Sequence, residues 1–166
     1  MAFGKATRRE TPEPSLDLSE RLSPYGEREV DIPRPEARRE GGADAAVRLV
    51  IVDDLPAIRT MLTLAVSLFE GVTVVGEAGG AREAVDVCAD VQPDAILLDV
   101  EMPQVDGIAA IPLLRTAAPQ AKIAMYSNDN GSRQAALDAG ADAFFLKLDL
   151  RPSEVLAEIV RLCAGR

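Results

Sequence analysis

The chain has 166 residues, a formal net charge of −9 and no histidine. That balance repels nucleic-acid backbones and anionic membranes, and it removes every histidine-based triad, zinc site and acid–base device. Apolar residues make up 48% but aromatics only 4%, which fits an α/β core of Ala, Val, Leu and Ile and leaves little aromatic stacking surface.

Cys88 and Cys163 lie far apart in periodic apolar segments, match no CxxC or zinc spacing, and read as core residues. No apolar run is long enough to span a bilayer, and the N-terminus lacks the hydrophobic segment of a secretory signal. The expectation is a cytoplasmic protein with no nucleic-acid or membrane partner.

Residues 1–46 differ in kind from the rest. Pro12, Pro14, Pro24, Pro33 and Pro35 are interleaved with Arg and Glu, and the segment offers too little apolar surface to offset the entropy of ordering it. It is expected to be a disordered extension. Its one amphipathic stretch, Ser15 to Leu22, puts Leu18 and Leu22 on one helical face.

From Val47 onward, strands and helices alternate through residue 166 as a single domain. Val47 to Val52 is a buried strand ending in Asp53-Asp54. Leu55 to Glu70 has helical periodicity through Ile58, Met61, Leu62, Ala65 and Leu68 or Phe69, with Gly71 as its stop. Val72 to Gly76 is a second strand and Ala81 to Val91 a second helix. Asp94 to Leu98 is a third strand, an apolar run too continuous for a one-sided strand and too short for a helix, followed by Asp99.

After Gly107 a third helix runs to about Ala117, with Pro112 near enough to its start to be tolerated. Ala121 to Tyr126, Ser132 to Ala139 and Asp142 to Leu146 read as strand, short helix and strand. Gly140 stops the short helix. Pro152 opens a last helix with Val155, Leu156, Ile159, Val160 and Cys163 inward.

Five strands separated by helices imply a parallel sheet of the flavodoxin-like order 2-1-3-4-5 with helices on both faces. Its ligand crevice lies between the first and third strands, outside their carboxyl ends. Asp53, Asp54 and Asp99 converge there. Three unpaired acids in one cleft repel one another unless a cation compensates, and a hard ion such as Mg²⁺ is the simplest occupant. Lys147, after Phe144-Phe145-Leu146, and Ser127, after the fourth strand, supply donors at the same edge. The plainer reading, acids that only cap strands, leaves unexplained why all three fall at one edge.

Val50-Ile51-Val52-Asp53-Asp54, Leu97-Leu98-Asp99 through Asp106-Gly107, and Gly140 through Lys147 together resemble the signature segments of response-regulator receiver domains of two-component signalling. The resemblance covers about Val47 to Arg166. It implies that Asp99 is the phospho-acceptor, that Asp54, Asp99 and the backbone carbonyl of Glu101 bind Mg²⁺, and that Asp53 acts through water. Lys147 would pair with the acyl phosphate, and Ser127 and Phe144 would form the switch pair.

The implied partners are a sensor histidine kinase or histidine phosphotransfer protein and a downstream protein target. The face of the fourth and fifth helices and the fifth strand is the one the family usually offers. The implied chemistry is confined to the chain's own aspartyl phosphorylation and dephosphorylation, so no separate enzyme activity is expected. Because the chain ends after the fifth helix, the resemblance points to a stand-alone receiver.

Two departures stand out. Lys147-Leu148 replaces the frequent Lys-Pro, so no cis peptide is expected there. The segment from Ser127 to Gly140 is about two residues short of the family spacing. Counting back from Gly140 points to Met125 as the switch residue, whereas strand periodicity points to Ser127, with the shortening in the loop. The shortening also sustains an alternative, a receiver-fold interaction module not regulated by phosphate. A phosphatase of the haloacid-dehalogenase kind fits less well, since Glu101 stands where its second Asp belongs. A dinucleotide site lacks its GxGxxG.

Overall fold

The computed structural model describes residues 46–165 other than Gln104. The expected disordered extension, with Leu18 and Leu22, lies outside the described residues.

In chain order the elements are β1 (Val47–Val52), α1 (Pro56–Ser67), β2 (Val72–Ala78), α2 (Ala81–Val91), β3 (Ala95–Asp99), α3 (Gly107–Ala117), β4 (Lys122–Ser127), α4 (Arg133–Asp138), β5 (Ala143–Leu146) and α5 (Pro152–Ala164). The strands form one parallel sheet in the order β2-β1-β3-β4-β5. This is the expected architecture.

Strand alternation divides the core in two. Val50, Val52, Ile96, Leu98, Ile123, Met125 and Phe144 pack with residues of α2, α3 and α4 on one face. Leu49, Ile51, Leu97, Ala124 and Tyr126 pack with Leu62 and Val66 of α1 and Val155, Leu156 and Ile159 of α5 on the other. β1 and β3 are apolar on both sides because both sides are covered. Each fully buried Leu or Ile among them contributes roughly 1.5–3 kcal/mol relative to exposure.

Three details differ from expectation. β2 runs on to Ala78 because the β1–β2 register shifts after Leu49, skipping Val75, so that Val50 pairs with Gly76. Such a bulge carries the strand past the glycine that otherwise reads as its end. α1 stops at Ser67, whose Oγ donates to the Leu64 carbonyl. Pro112 sits inside α3 as its sixth residue, beyond the turn where a missing N–H is free of cost. It faces solvent.

Gly140 adopts a φ of +105° in the left-handed turn that ends α4, and Gly71, with a φ of +88°, turns the chain into β2. The described peptide bonds are all trans, Lys147–Leu148 included. No helix among the described residues is long and apolar enough to cross a membrane.

Candidate functional site

The parallel sheet brings the carboxyl ends of β1, β3, β4 and β5 to one edge. Asp53 follows β1, and Asp99 is the last residue of β3, opposite Tyr126 of β4. Both aspartates are buried, 1% and 4% exposed, although carboxylates in water strongly resist such burial. Asp54 lies beside them on the more open side. One carboxylate oxygen from each of the three falls within 4.8 Å of the others.

Lys147 supplies the cation. Its backbone N–H donates to the Ser127 carbonyl at 2.8 Å, extending the β4–β5 ladder by one residue. From that anchor the side chain crosses β4, with Nζ 5.3 Å from the centre of the Tyr126 ring. It reaches Asp53 Oδ2 at 2.9 Å and Asp99 Oδ1 at 3.1 Å. The ring gives the ammonium a cation–π contact in a nearly dry setting. Tyr126 was not singled out from the sequence. Only the Asp99–Tyr126 register shows that an aromatic side chain lies under the lysine's path.

One ammonium between two carboxylates cannot balance both. Burial raises the Asp99 pKa above the ordinary carboxylate value, and the Lys147 bond and charge, which act against it, do not fully compensate. Lys147 is also raised: burial alone would lower it, but the bonds to Asp53 and Asp99 outweigh that cost. The partners do not mirror each other because the lysine serves two anions and Asp99 shares its one cation. Beyond the ion pair with Lys147, Asp99 Oδ1 has no hydrogen-bond partner. Three clustered hard oxygens, one of them buried and under-satisfied, fit a small divalent cation.

The loop after β3 is shaped by contact. Gly107 opens α3 directly against the end of β3, where a Cβ would stand 2.0 Å from the Asp99 carbonyl oxygen; only glycine allows that approach. Asp106 takes no part in the carboxylate group. Its Oδ1 caps α3 by accepting from Ile108 N–H at 2.8 Å. Glu101 is exposed two residues beyond Asp99. An open cleft of about 470 Å³ leads outward from Asp54 between Gly79, Gly80, Arg82, Pro103 and Val105.

Met125 and Ser127 occupy different settings. Met125 is fully buried within β4, paired with Leu98 and Phe144. Ser127 ends the strand, one residue beyond the partner of Asp99. Its hydroxyl is engaged in its own loop, accepting from Asp129 N–H at 3.0 Å and donating to the Asp129 carbonyl at 3.1 Å. The loop continues through a short 3₁₀ turn, Asn130–Ser132, into the six-residue α4. Phe144 is buried, with the Arg133 guanidinium 5.7 Å from its ring centre.

Arg59 of α1 is a further residue that sequence reasoning missed. It donates to the Asp53 backbone carbonyl at 2.7 Å and pairs with Glu77 at 3.5 Å.

Comparison with known proteins gives this geometry a context. A family model described as response regulator receiver domain matches residues 49–159. The nitrate/nitrite response regulator NarL of Escherichia coli is 32% identical over 119 residues, covering 70% of this chain and 55% of that protein. The chain thus spans about half the length of that curated relative.

The receiver domain of the NarL response regulator from Mycobacterium tuberculosis superposes with a TM-score of 0.67 at 31% identity, covering 74% of this chain and 99% of that one. A CheX–CheY–BeF3–Mg complex from Borrelia burgdorferi gives 0.64 at 25% identity, covering 71% and 90%. With its 2-1-3-4-5 sheet and the family match across most of its length, the chain belongs to the response regulator receiver domain family.

Proposed function

We propose that the chain is a phosphate-accepting switch in which Asp99 takes a phosphoryl group from a phosphohistidine donor protein and passes the signal on by protein–protein contact. The observation that carries this reading is the Lys147 bridge, 2.9 Å to Asp53 and 3.1 Å to Asp99, inside a group of three carboxylates. Structural ion pairs do not need two surplus acids at a ligand-binding edge.

In the reaction an Asp99 carboxylate oxygen attacks phosphorus, the phosphorus–nitrogen bond to the donor imidazole breaks, and the imidazole leaves with a proton. Asp54, Asp99 and the Glu101 carbonyl would hold Mg²⁺ directly, and Asp53 through water. When bound, the ion neutralises charge on the phosphoryl oxygens. The solved Borrelia CheY complex contains Mg, in keeping with this assignment. Lys147 would pair with the acyl phosphate and offset part of the negative charge that the phosphoryl group adds. Ser127 and Phe144 form the readout, with Ser127 leaving its bonds to Asp129 for the phosphoryl oxygens.

The test is intact-mass analysis after incubation with Mg²⁺ and a small acyl-phosphate donor. One added phosphoryl group is expected on the wild type and none on Asp99→Asn. An unmodified wild type would sink the proposal.

The local bonding of Ser127 favours a second reading, an interaction module that keeps the fold without phosphate control. The two part at Ser127→Ala. A phosphorylated wild type whose α4 amide signals stay at their unphosphorylated positions, as those of the variant would, supports the second.

A further inference from the structure

We infer that Arg59, held by Glu77 and Thr63, is a positioning residue for the acidic site: it fixes the peptide unit joining Asp53 to Asp54 and so sets the affinity for a divalent cation. The inference rests on the metal-dependent reading above and concerns residues outside the carboxylate group.

The sheet cannot satisfy the Asp53 carbonyl, because β1 ends at Val52 and the chain turns at once toward α1. Arg59, six residues on, reaches back and donates to that oxygen at 2.7 Å. The bonded carbonyl lies in the same rigid plane as the Asp54 nitrogen. Holding it fixes ψ of Asp53 and the direction in which Asp54 leaves the strand. The rest of the turn is pinned independently: Asp53 N–H donates to the Ala78 carbonyl at 3.1 Å, and Leu55 N–H donates to Asp53 Oδ1 at 2.9 Å. Without Arg59, the peptide between the two aspartates is the part left unanchored.

Arg59 is itself held. Its Nε lies 3.5 Å from Glu77 Oε2 near the end of β2, and Thr63 Oγ1, one turn further along α1, donates to Glu77 Oε1 at 2.6 Å. The guanidinium fork is what lets one side chain serve a carboxylate and a carbonyl together. The arrangement is a relay, Thr63 to Glu77 to Arg59 to the Asp53–Asp54 peptide. Residues that orient metal ligands in this way typically change affinity by about 10–100-fold when removed.

The experiment measures Mg²⁺ affinity by calorimetry on the full chain, alongside the melting temperature and the phosphoryl-labelling rate as a function of Mg²⁺. For Arg59→Gln the expected result is about tenfold weaker Mg²⁺ binding, with the labelling rate recovering toward wild type at saturating Mg²⁺. Glu77→Gln, which keeps the side chain's shape, should weaken binding in the same direction by a smaller factor, and Arg59→Lys should recover part of the loss.

Mg²⁺ affinity within twofold of wild type in Arg59→Gln would overturn the inference. So would a fall in affinity that only tracks loss of folded protein while Glu77→Gln leaves affinity unchanged. A wild type that binds no divalent ion would instead reject the functional reading beneath it.

Discussion

The two edges of the sheet use the same residue types to opposite ends. At the amino edge a single carboxylate is oversupplied with donors. Asp142, just before β5, accepts from Ile123 N–H at 2.8 Å, from Lys122 Nζ at 3.2 Å and from the Arg115 guanidinium. Arg115 also reaches the carbonyls of Ala121 and Gly140, tying α3, β4 and the turn before β5 together. Asp94 does similar work for β1 by accepting from Arg48 N–H.

At the carboxyl edge three carboxylates cluster and one lysine reaches two of them. Burial tends to raise the pKa of both Asp142 and Asp99. At Asp142 the backbone N–H of Ile123 and the two cations win, and the pKa is lowered; at Asp99 burial wins and it is raised. One edge is satisfied and holds the fold. The other is left short of positive charge, the state in which a cation finds the most to gain.

The largest effect expected from disturbing this contrast is at the amino edge. Asp142→Asn keeps one acceptor but removes the charge, leaving Arg115 and Lys122 to repel each other. Stability at neutral pH should fall by about 2 kcal/mol, the scale of hydrogen bonds to a charged group. The folded pKa of Asp142 lies below its unfolded value, so its contribution is full above about pH 4 and is lost as pH falls through the folded pKa. Urea unfolding of wild type and variant should therefore show a gap at pH 7 that narrows on acidification. A gap constant with pH would mean that shape, not charge, makes the contribution.

The opposite sign is expected at the carboxyl edge. Asp99→Asn removes a buried charge that shares its cation with Asp53, so the variant should lose phosphoryl labelling yet gain about 1 kcal/mol at pH 7, the usual yield when a functional compromise is relieved. The folded pKa of Asp99 lies above its unfolded value. Stability from this group is present only below the unfolded value and is lost as pH rises through the folded pKa. The variant's advantage should accordingly be greatest at neutral pH and vanish on acidification. A destabilised Asp99→Asn would show that Lys147 balances both aspartates after all.

Much of this contrast was legible in the sequence, and the reason is periodicity. Buried runs such as Ala95 to Leu98 have one stable placement, in a sheet covered on both faces, and the parallel order then carries Asp53, Asp54 and Asp99 to one edge. Whatever depends on reach across strands was not legible. Lys147 was assigned to the site, but its path over Tyr126 requires the β3–β4 register. Arg59 looks in sequence like any polar residue on an exposed helix, and its bond to the Asp53 carbonyl appears only once β1 is known to end one residue earlier. The bulge at Val75 is hidden for a similar reason: an extra residue in a strand leaves the apolar pattern almost unchanged.

The smallest expected effect concerns the open side of the carboxyl edge. Glu101 adds a fourth carboxylate at the mouth, exposed where the three inner acids are shielded. Its charge is too well solvated to shift the fold's stability by much, so its influence should fall on what approaches the phosphorylated site. On the proposed function its side chain, two residues beyond Asp99, would narrow the path of the water that hydrolyses the acyl phosphate. Asn is one methylene shorter and uncharged. In Glu101→Asn the acyl phosphate should therefore decay faster, by roughly threefold, which is under 1 kcal/mol on the barrier. Loss of the added phosphoryl mass over time, after the donor is removed and with Mg²⁺ held constant, measures this directly. Equal lifetimes would take Glu101 out of the mechanism, and a longer lifetime in the variant would make its carboxylate the group that orients the attacking water.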